Sequence, residues 1–246
     1  MSNQGRIDRY TDQGYATELL EIRERLLLMA GRVEHMIGEA IASIVNRDTE
    51  RAELGVDLDR QVNQDELDLD ALCLELLACR QPMASDLRFV VFTLKMVTDL
   101  ERIADLAVNI MERAKDLNRK PALTEYIIIP RMGDLVREMV RNAIDAFIQK
   151  DIDLAFAVIE KDDEVDDLYR DLFRQVLNVM REDSKHVHRG IHVQSVAKFL
   201  ERIGDHSTNL AEQAIFMIGG DDVRHEGKLG DIRSKGNPGD TEEITL

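Results

Sequence analysis

Apolar side chains recur along most of the chain at three- and four-residue spacing. Leu26, Met29, Val33, Met36, Ile37, Ala40, Ile41 and Ile44 form the first such run, which places them on one face of a helix starting near Glu18. Asn46-Arg47-Asp48 interrupts it, and Asp48 suits an N-cap because its carboxylate can accept hydrogen bonds from the first amides of the next helix. A second helix is expected from Thr49 to Arg80, carrying Leu54, Leu58, Val62, Leu69, Leu72, Leu76 and Leu77 inward. Pro82 ends it, since the residue before a proline is pushed out of the helical region. The third runs from about Ser85 to Leu117 through Val90, Leu94, Val97, Ala104, Val108 and Met111. Pro121 and Pro130 bracket a joint, and three more helices follow over about 131–149, 152–182 and 190–218. The β-like run Tyr126-Ile127-Ile128-Ile129 is too short to argue for a sheet, and reads as an extended linker or the start of the fourth helix.

The helical pattern is written twice. Leu100-Glu101-Arg102-Ile103-Ala104-Asp105 continues through Asn109, Glu112 and Ala114, and 100 positions later Leu200-Glu201-Arg202-Ile203-Gly204-Asp205 continues through Asn209, Glu212 and Ala214. Upstream, at an offset of 103, Met29, Val33, Met36, Ala40, Asp48, Asp59, Val62 and Leu69 match Met132, Val136, Met139, Ala143, Asp151, Asp162, Val165 and Leu172. A long repeated unit of this kind implies two copies of one supersecondary plan. The expected fold is all-α, with two tandem three-helix bundles related by internal pseudo-two-fold symmetry. The corresponding division is a flexible N-terminal arm over 1–17, a first bundle over 18–120, a second over 121–220 and a disordered polar tail over 221–246.

Composition narrows the classes of function. The 246 residues contain no Trp, and 32 basic against 48 acidic residues give a formal net charge of −16, which repels the phosphate backbone on which nucleic-acid affinity depends. No apolar run approaches the roughly 18 residues of a membrane span, and the N-terminal stretch lacks the apolar core of a signal peptide. A soluble, cytoplasmic protein that does not bind nucleic acid is expected. Cys73 and Cys79 fall within one apolar helical pattern and read as ordinary packed side chains.

The candidate chemistry lies in the repeated stretch. Glu101, Asp105, Asn109 and Glu112 share one sector of their helix, and like charges at i and i+4 cost a helix roughly 0.2–0.5 kcal/mol in water. Arg102 is placed to pair with Asp105, and Lys198 with Glu201, whereas Glu101 has no base three or four residues away. A second set at four-residue spacing, Asp59 with Asn63 and Asp162 with Asp166, sits in matching places on the second and fifth helices. If those helices are antiparallel neighbours of the third and sixth, each copy gathers its acids into one volume. Oxygen-only sets of this kind suit Mg²⁺, Mn²⁺ or iron rather than sites that demand thiolate. Ion pairs with arginines of neighbouring helices are the competing structural explanation.

The run Arg80-Gln81-Pro82-Met83-Ala84-Ser85-Asp86-Leu87-Arg88, then Asp99-Leu100-Glu101-Arg102-Ile103, then Phe199-Leu200-Glu201-Arg202-Ile203-Gly204-Asp205-His206, closely resembles the PhoU family of phosphate-transport regulators over about residues 20–219. The resemblance implies multinuclear iron or zinc clusters at the two E/D-x-x-x-D motifs, which here are Glu101 with Asp105 and Glu201 with Asp205. Asp59, Asp162 and Asp166 are the further candidate ligands. It also implies a cytoplasmic negative regulator of the phosphate-starvation response, working through contacts with the phosphate ABC transporter, through its ATPase subunit, and with a phosphate-sensing histidine kinase. A homodimer is expected, reaching the membrane only through its partners. The two copies differ, with Asn63 opposite Asp166 and Leu106 opposite His206, so less charge is expected at the first site.

Two other classes compete with the regulator. A carboxylate-bridged di-metal enzyme would carry Glu-x-x-His on two helices, and no histidine of the chain has Glu three residues before it. A metal-free helical adaptor remains the main alternative. His186, His188 and His192 crowd the expected turn between the fifth and sixth helices, where a solvated turn is the simpler explanation.

Overall fold

The repeated periodicity resolves into six long helices, one short helix and one 3₁₀ turn, with no strand among the described residues. A computed structural model describes the backbone of residues 4–123 and 127–219, and the side chains from residue 14 onward within them. The expected polar tail, 221–246, lies outside these residues. In chain order the elements are α1 (Gln4–Val45), α2 (Thr49–Glu53), α3 (Gly55–Arg80), α4 (Ala84–Asn118), α5 (Ile128–Gln149), α6 (Ile152–Glu182) and α7 (Val187–Gly219), with a 3₁₀ turn at Ser184–His186.

Local chemistry sets most boundaries where the sequence puts them. The Arg51 amide donates to the Asp48 carboxylate and the Leu154 amide to Asp151, each at 3.0 Å, so the expected N-cap forms and its repeat match caps the corresponding helix. Gln81 and Lys150 leave their helices in the left-handed region, at φ 49° and 58°. Pro130 lies inside α5 rather than before it, because a proline in the first turn gives up no hydrogen bond that the helix could make.

Two boundaries differ from the periodic reading. The first helix begins at Gln4 rather than near Glu18, and Gly14 is within it. Tyr15 and Leu19 pack against the core, the Tyr15 hydroxyl donates to Asp86 at 2.8 Å and Arg80 donates to Glu18 at 2.9 Å, so this turn has tertiary partners. The second helix is broken at Leu54, which is exposed rather than inward. The break brings the chain close to α4: a Cβ on Gly55 would stand 2.5 Å from Met111 Sδ.

Helices α1, α3 and α4 pack as one bundle and α5, α6 and α7 as a second. The bundles join through α1 against α5 and α4 against α7, whereas α3 and α6 touch only elements of their own bundle. The joining helices run antiparallel, since Phe92 near the start of α4 meets Phe216 near the end of α7 with centroids 5.3 Å apart, and Asp116 near the end of α4 faces His192 near the start of α7. Phe89 stacks on Phe147 of α5 at 5.2 Å. Gly133 lets α5 close onto α1, because a Cβ there would meet Ile41 Cγ1 at 2.6 Å. One continuous apolar core results, running from Ile22 to Met217 through both bundles. The outer helices α3 and α6 are thus left with their inner seams against α4 and α7, where the repeated acids fall.

Candidate metal centres

The acids of α3 divide by the helix they face. Asp65 and Asp68 turn towards α1 and are neutralised there, Asp65 by Arg32 and Asp68 by Arg25 at 3.3 Å. Asp59, Glu66 and Asp70 meet a different environment. Burial holds the Asp59 carboxyl above its usual range, the charge of Asp105 on α4 pushes the same way, and a hydrogen bond from Asn63 Nδ2 at 3.1 Å opposes both. Glu66 is raised by burial and then by Asp70, with Arg102 opposing and Asp105 reinforcing, and Asp70 is raised by burial. Glu101 is raised first by burial and then by Asp105, with smaller contributions from Glu66 and Asp59. Mutual repulsion across the α3–α4 seam therefore ties Asp59, Glu66, Glu101 and Asp105 into one electrostatic group.

The α6–α7 seam repeats the plan with deeper burial. Asp162 is pushed from 3.8 up to about 6, by burial first and then by the charges of Asp205, Asp166 and Glu201. Asp166 adds repulsion where Asn63 gives Asp59 a hydrogen bond, and a glycine adds room. Gly204 stands where the first copy has Ala104, and a Cβ at Gly204 would come 2.8 Å from Asp162 Oδ1. Its absence lets the Asp162 carboxylate lie directly against the α7 backbone.

The seven candidate acids fall along two seams, Asp59 with Glu101 and Asp105 on one side and Asp162 with Asp166, Glu201 and Asp205 on the other, close enough to repel one another. Glu101 and Glu201 are tucked in, with side chains 18% and 13% exposed, while Asp105 and Asp166 at 46% and 48% open each site to solvent. Protein cations now offset part of the charge. Arg102 lies 3.4 Å from both Glu101 and Asp105, and Lys198 lies 2.5 Å from Glu201. Glu101, which has no base at helical spacing, is therefore served by its immediate neighbour. Among the described residues no three His, Cys, Asp or Glu side chains are gathered as a ready cation-holding set. The donor chemistry nevertheless fits a hard or borderline cation: all donors are oxygens, and the raised proton affinities of Asp59, Glu101 and Asp162 come from burial and from neighbouring negative charge, which a cation would offset.

A family model described as the PhoU domain matches the chain twice, over residues 26–114 and 129–214. The chain belongs to the PhoU family. Each match covers one bundle with its acidic seam. The phosphate-specific transport system accessory protein PhoU homolog of Pseudomonas putida is 39% identical over 228 residues, covering 92% of this chain and 89% of that protein. The Escherichia coli accessory protein PhoU is 32% identical over 221 residues, covering 90% and 92%. Among solved structures, PhoU from Pseudomonas aeruginosa superposes with a TM-score of 0.80 at 36% identity, covering 84% of this chain and all of that one. The phosphate transport system regulatory protein PhoU from Streptococcus pneumoniae gives 0.79 at 26% identity, covering 85% and 99%.

Two features of this PhoU chain escape a reading by motif. Glu66 and Asp70 extend the stripe Asp59, Asn63, Glu66, Asp70, whose 4-3-4 spacing is legible in the sequence. In the second copy the same stripe turns aromatic at Tyr169 and Phe173, and Lys198 Nζ sits 5.6 Å from the Tyr169 centroid. Glu66 and Asp70 thus add acids beside the first seam that the comparison of Asn63 with Asp166 leaves out. His206 belongs to neither acidic seam: its Nδ1 lies 2.9 Å from Asp99 Oδ1, and Gln213 donates to Asp99 Oδ2 at 2.7 Å, linking α4 to α7 across the bundles.

Proposed function

We infer that this protein is a cytoplasmic accessory regulator of phosphate transport, and that it acts by binding partner proteins rather than by catalysis. The double match of the PhoU domain, each copy with an acidic seam between its outer and inner helix, carries this reading. Relatives named as accessory proteins of the phosphate-specific transport system support the pathway. The family resemblance points to the transporter's ATPase subunit as the point of contact, and among the described residues no helix is long and apolar enough to cross a membrane. The regulation is negative: the protein keeps the phosphate-starvation response off in high phosphate by favouring one signalling state of the transporter and its sensor histidine kinase. A regulator of this type must bind one partner state better than the other.

The acidic seams would hold the metal clusters, through Asp59, Glu101 and Asp105 in one bundle and Asp162, Asp166, Glu201 and Asp205 in the other. A bound cation would supply the charge that quiets their repulsion and would fasten each outer helix to its inner neighbour. Iron or zinc follows the family resemblance, and the all-oxygen donors also accept Mg²⁺ or Mn²⁺. Arg102 and Lys198 favour a second reading, a metal-free adaptor, because they already neutralise part of each seam.

A starvation-promoter reporter in a deletion strain tests the role. It should stay on in phosphate-rich medium, and silence there, with transporter and kinase intact, removes the regulatory reading. Elemental analysis of protein purified without chelator separates the metal-bound regulator from the adaptor.

A further inference from the structure

Each acidic seam continues, towards its hairpin, into exposed apolar side chains. On α4 the positions Leu87, Val91, Leu94, Thr98, Glu101 and Asp105 follow a 4-3-4-3-4 spacing, which keeps them on one helix face. On α7 the same spacing runs through Val187, Ile191, Gln194, Lys198, Glu201 and Asp205. The facing helices add Leu74 in the first copy, and Phe173 with Leu177 in the second. Asp59 feels the charge of Asp105 and Gly55 lies against Met111, so the antiparallel register sets Leu74 level with Val91. Gln194 donates to the Leu172 carbonyl and Gly190 lies against Met180, which sets Leu177 level with Ile191 in the same way. These seven apolar side chains are 37–59% exposed and stand outside the core.

Single exposed apolar residues are ordinary on a protein surface. Here the two copies of the repeat keep them at corresponding places: Leu87 with Val187 and Val91 with Ile191 at an offset of 100, and Leu74 with Leu177 at 103. Leu28 and Leu67 are exposed too, but Arg131 and Arg170 take their places in the second copy. The other end of each stripe holds more acid than its own bases offset, with Arg102 set against Glu101 and Asp105 and Lys198 against Glu201. Glu66 and Asp70 lie outside the candidate metal ligands, so the first seam keeps negative charge even with a cation bound. We propose that each seam is a docking surface for a helical segment of a partner protein, apolar at the end nearer the hairpin and basic at the other. Such a helix would lay its apolar side chains on the exposed patch and its lysines or arginines on the acids. Val91 and Glu101 are ten residues apart, about 15 Å along a helix, so the partner's apolar and basic groups should be separated by about three turns. The same carboxylates repel an anionic membrane. This docking rests on the reading that the protein acts through protein contacts, and its test needs neither the phosphate response nor a metal.

The test is fluorescence-anisotropy titration of the full, chelator-treated chain with a labelled synthetic helical peptide of about 18 residues. The peptide carries leucines on one face of its first half and lysines on the same face of its second half. The parent should bind it about tenfold more tightly than a scrambled peptide of equal composition. Leu87→Gln/Val91→Gln/Val187→Gln/Ile191→Gln should weaken binding by about tenfold or more. Glu66→Gln/Asp70→Asn, which leaves every apolar side chain in place, should weaken it by about threefold. Leu20→Gln/Leu28→Gln removes exposed leucines from the outer face of α1 instead and should leave binding unchanged. Equal binding of the scrambled peptide, or unchanged binding in the four-site seam variant, overturns the proposal. An equal loss in Leu20→Gln/Leu28→Gln does the same. So does concentration-dependent dimerisation of the parent that the seam variant abolishes, since a second copy would then cover the patches.

Discussion

Asp162 offers the sharpest quantitative test of the acidic seams. Its carboxyl is lifted from 3.8 to about 6 in the folded chain, so the native state binds this proton more tightly than the unfolded state does. Stability contributed at this position is therefore greatest below the unfolded value and is lost as the pH rises from about 4 to about 6. Above that window the ionised group costs the metal-free fold at most about 3 kcal/mol, the free energy equivalent of the rise. Asp162→Asn keeps the shape of the neutral acid and removes the charge. In chelator-treated buffer at pH 7.5 it should stabilise the protein by up to about 3 kcal/mol, or on the order of 6–12 °C in melting temperature for a chain of this size. Near pH 4 the gain should shrink to a small fraction of that. Urea unfolding of parent and variant at pH 4, 6 and 7.5 measures the difference directly. A gain that is equal at all three pH values, or a variant less stable than the parent at pH 7.5, would show that the charge of Asp162 is balanced within the protein and refute the argument. Adding metal should reverse the order at pH 7.5, because a cation stabilises the ionised carboxylate.

Three further outcomes are expected. Gly204→Ala places a Cβ 2.8 Å from Asp162 Oδ1, so the carboxylate must swing aside; urea unfolding should change by no more than about 1 kcal/mol, while metal content falls at the second seam only. Glu101→Ala/Asp105→Ala removes two repelling carboxylates along with their shared Arg102 contact; the metal-free fold should be at least as stable as the parent within about 0.5 kcal/mol, with bound metal reduced at the first seam. Unfolding of that variant in chelator, where the parent stays folded, would mark the acids as structural ion-pair partners. Asp151→Ala deletes the acceptor for the Leu154 amide and should cost about 1 kcal/mol by chemical denaturation, with metal content unchanged.

Much of this molecule follows from rules that act within a few residues. Helical periodicity, the caps at Asp48 and Asp151, the stops at Gln81 and Lys150 and the duplicated plan are all local properties, which is why the six long helices and the pairing of Glu101 with Asp105 are legible in the sequence. What each helical face meets is a non-local property. Asp65 and Asp68 differ from Asp59 and Glu66 only in direction, yet α1 supplies arginines to the first pair while α4 supplies more acid to the second. His206 matches Leu106 in the repeat but pairs with Asp99 across the bundles, because α7 lies antiparallel to α4. The missing methyl group at Gly204 matters only because Asp162 of another helix occupies the space it leaves. Local hydrogen bonding and apolar spacing determined the elements, whereas the proton affinities of the seams and the partner of each charge were decided by long-range packing, which no short window of sequence encodes.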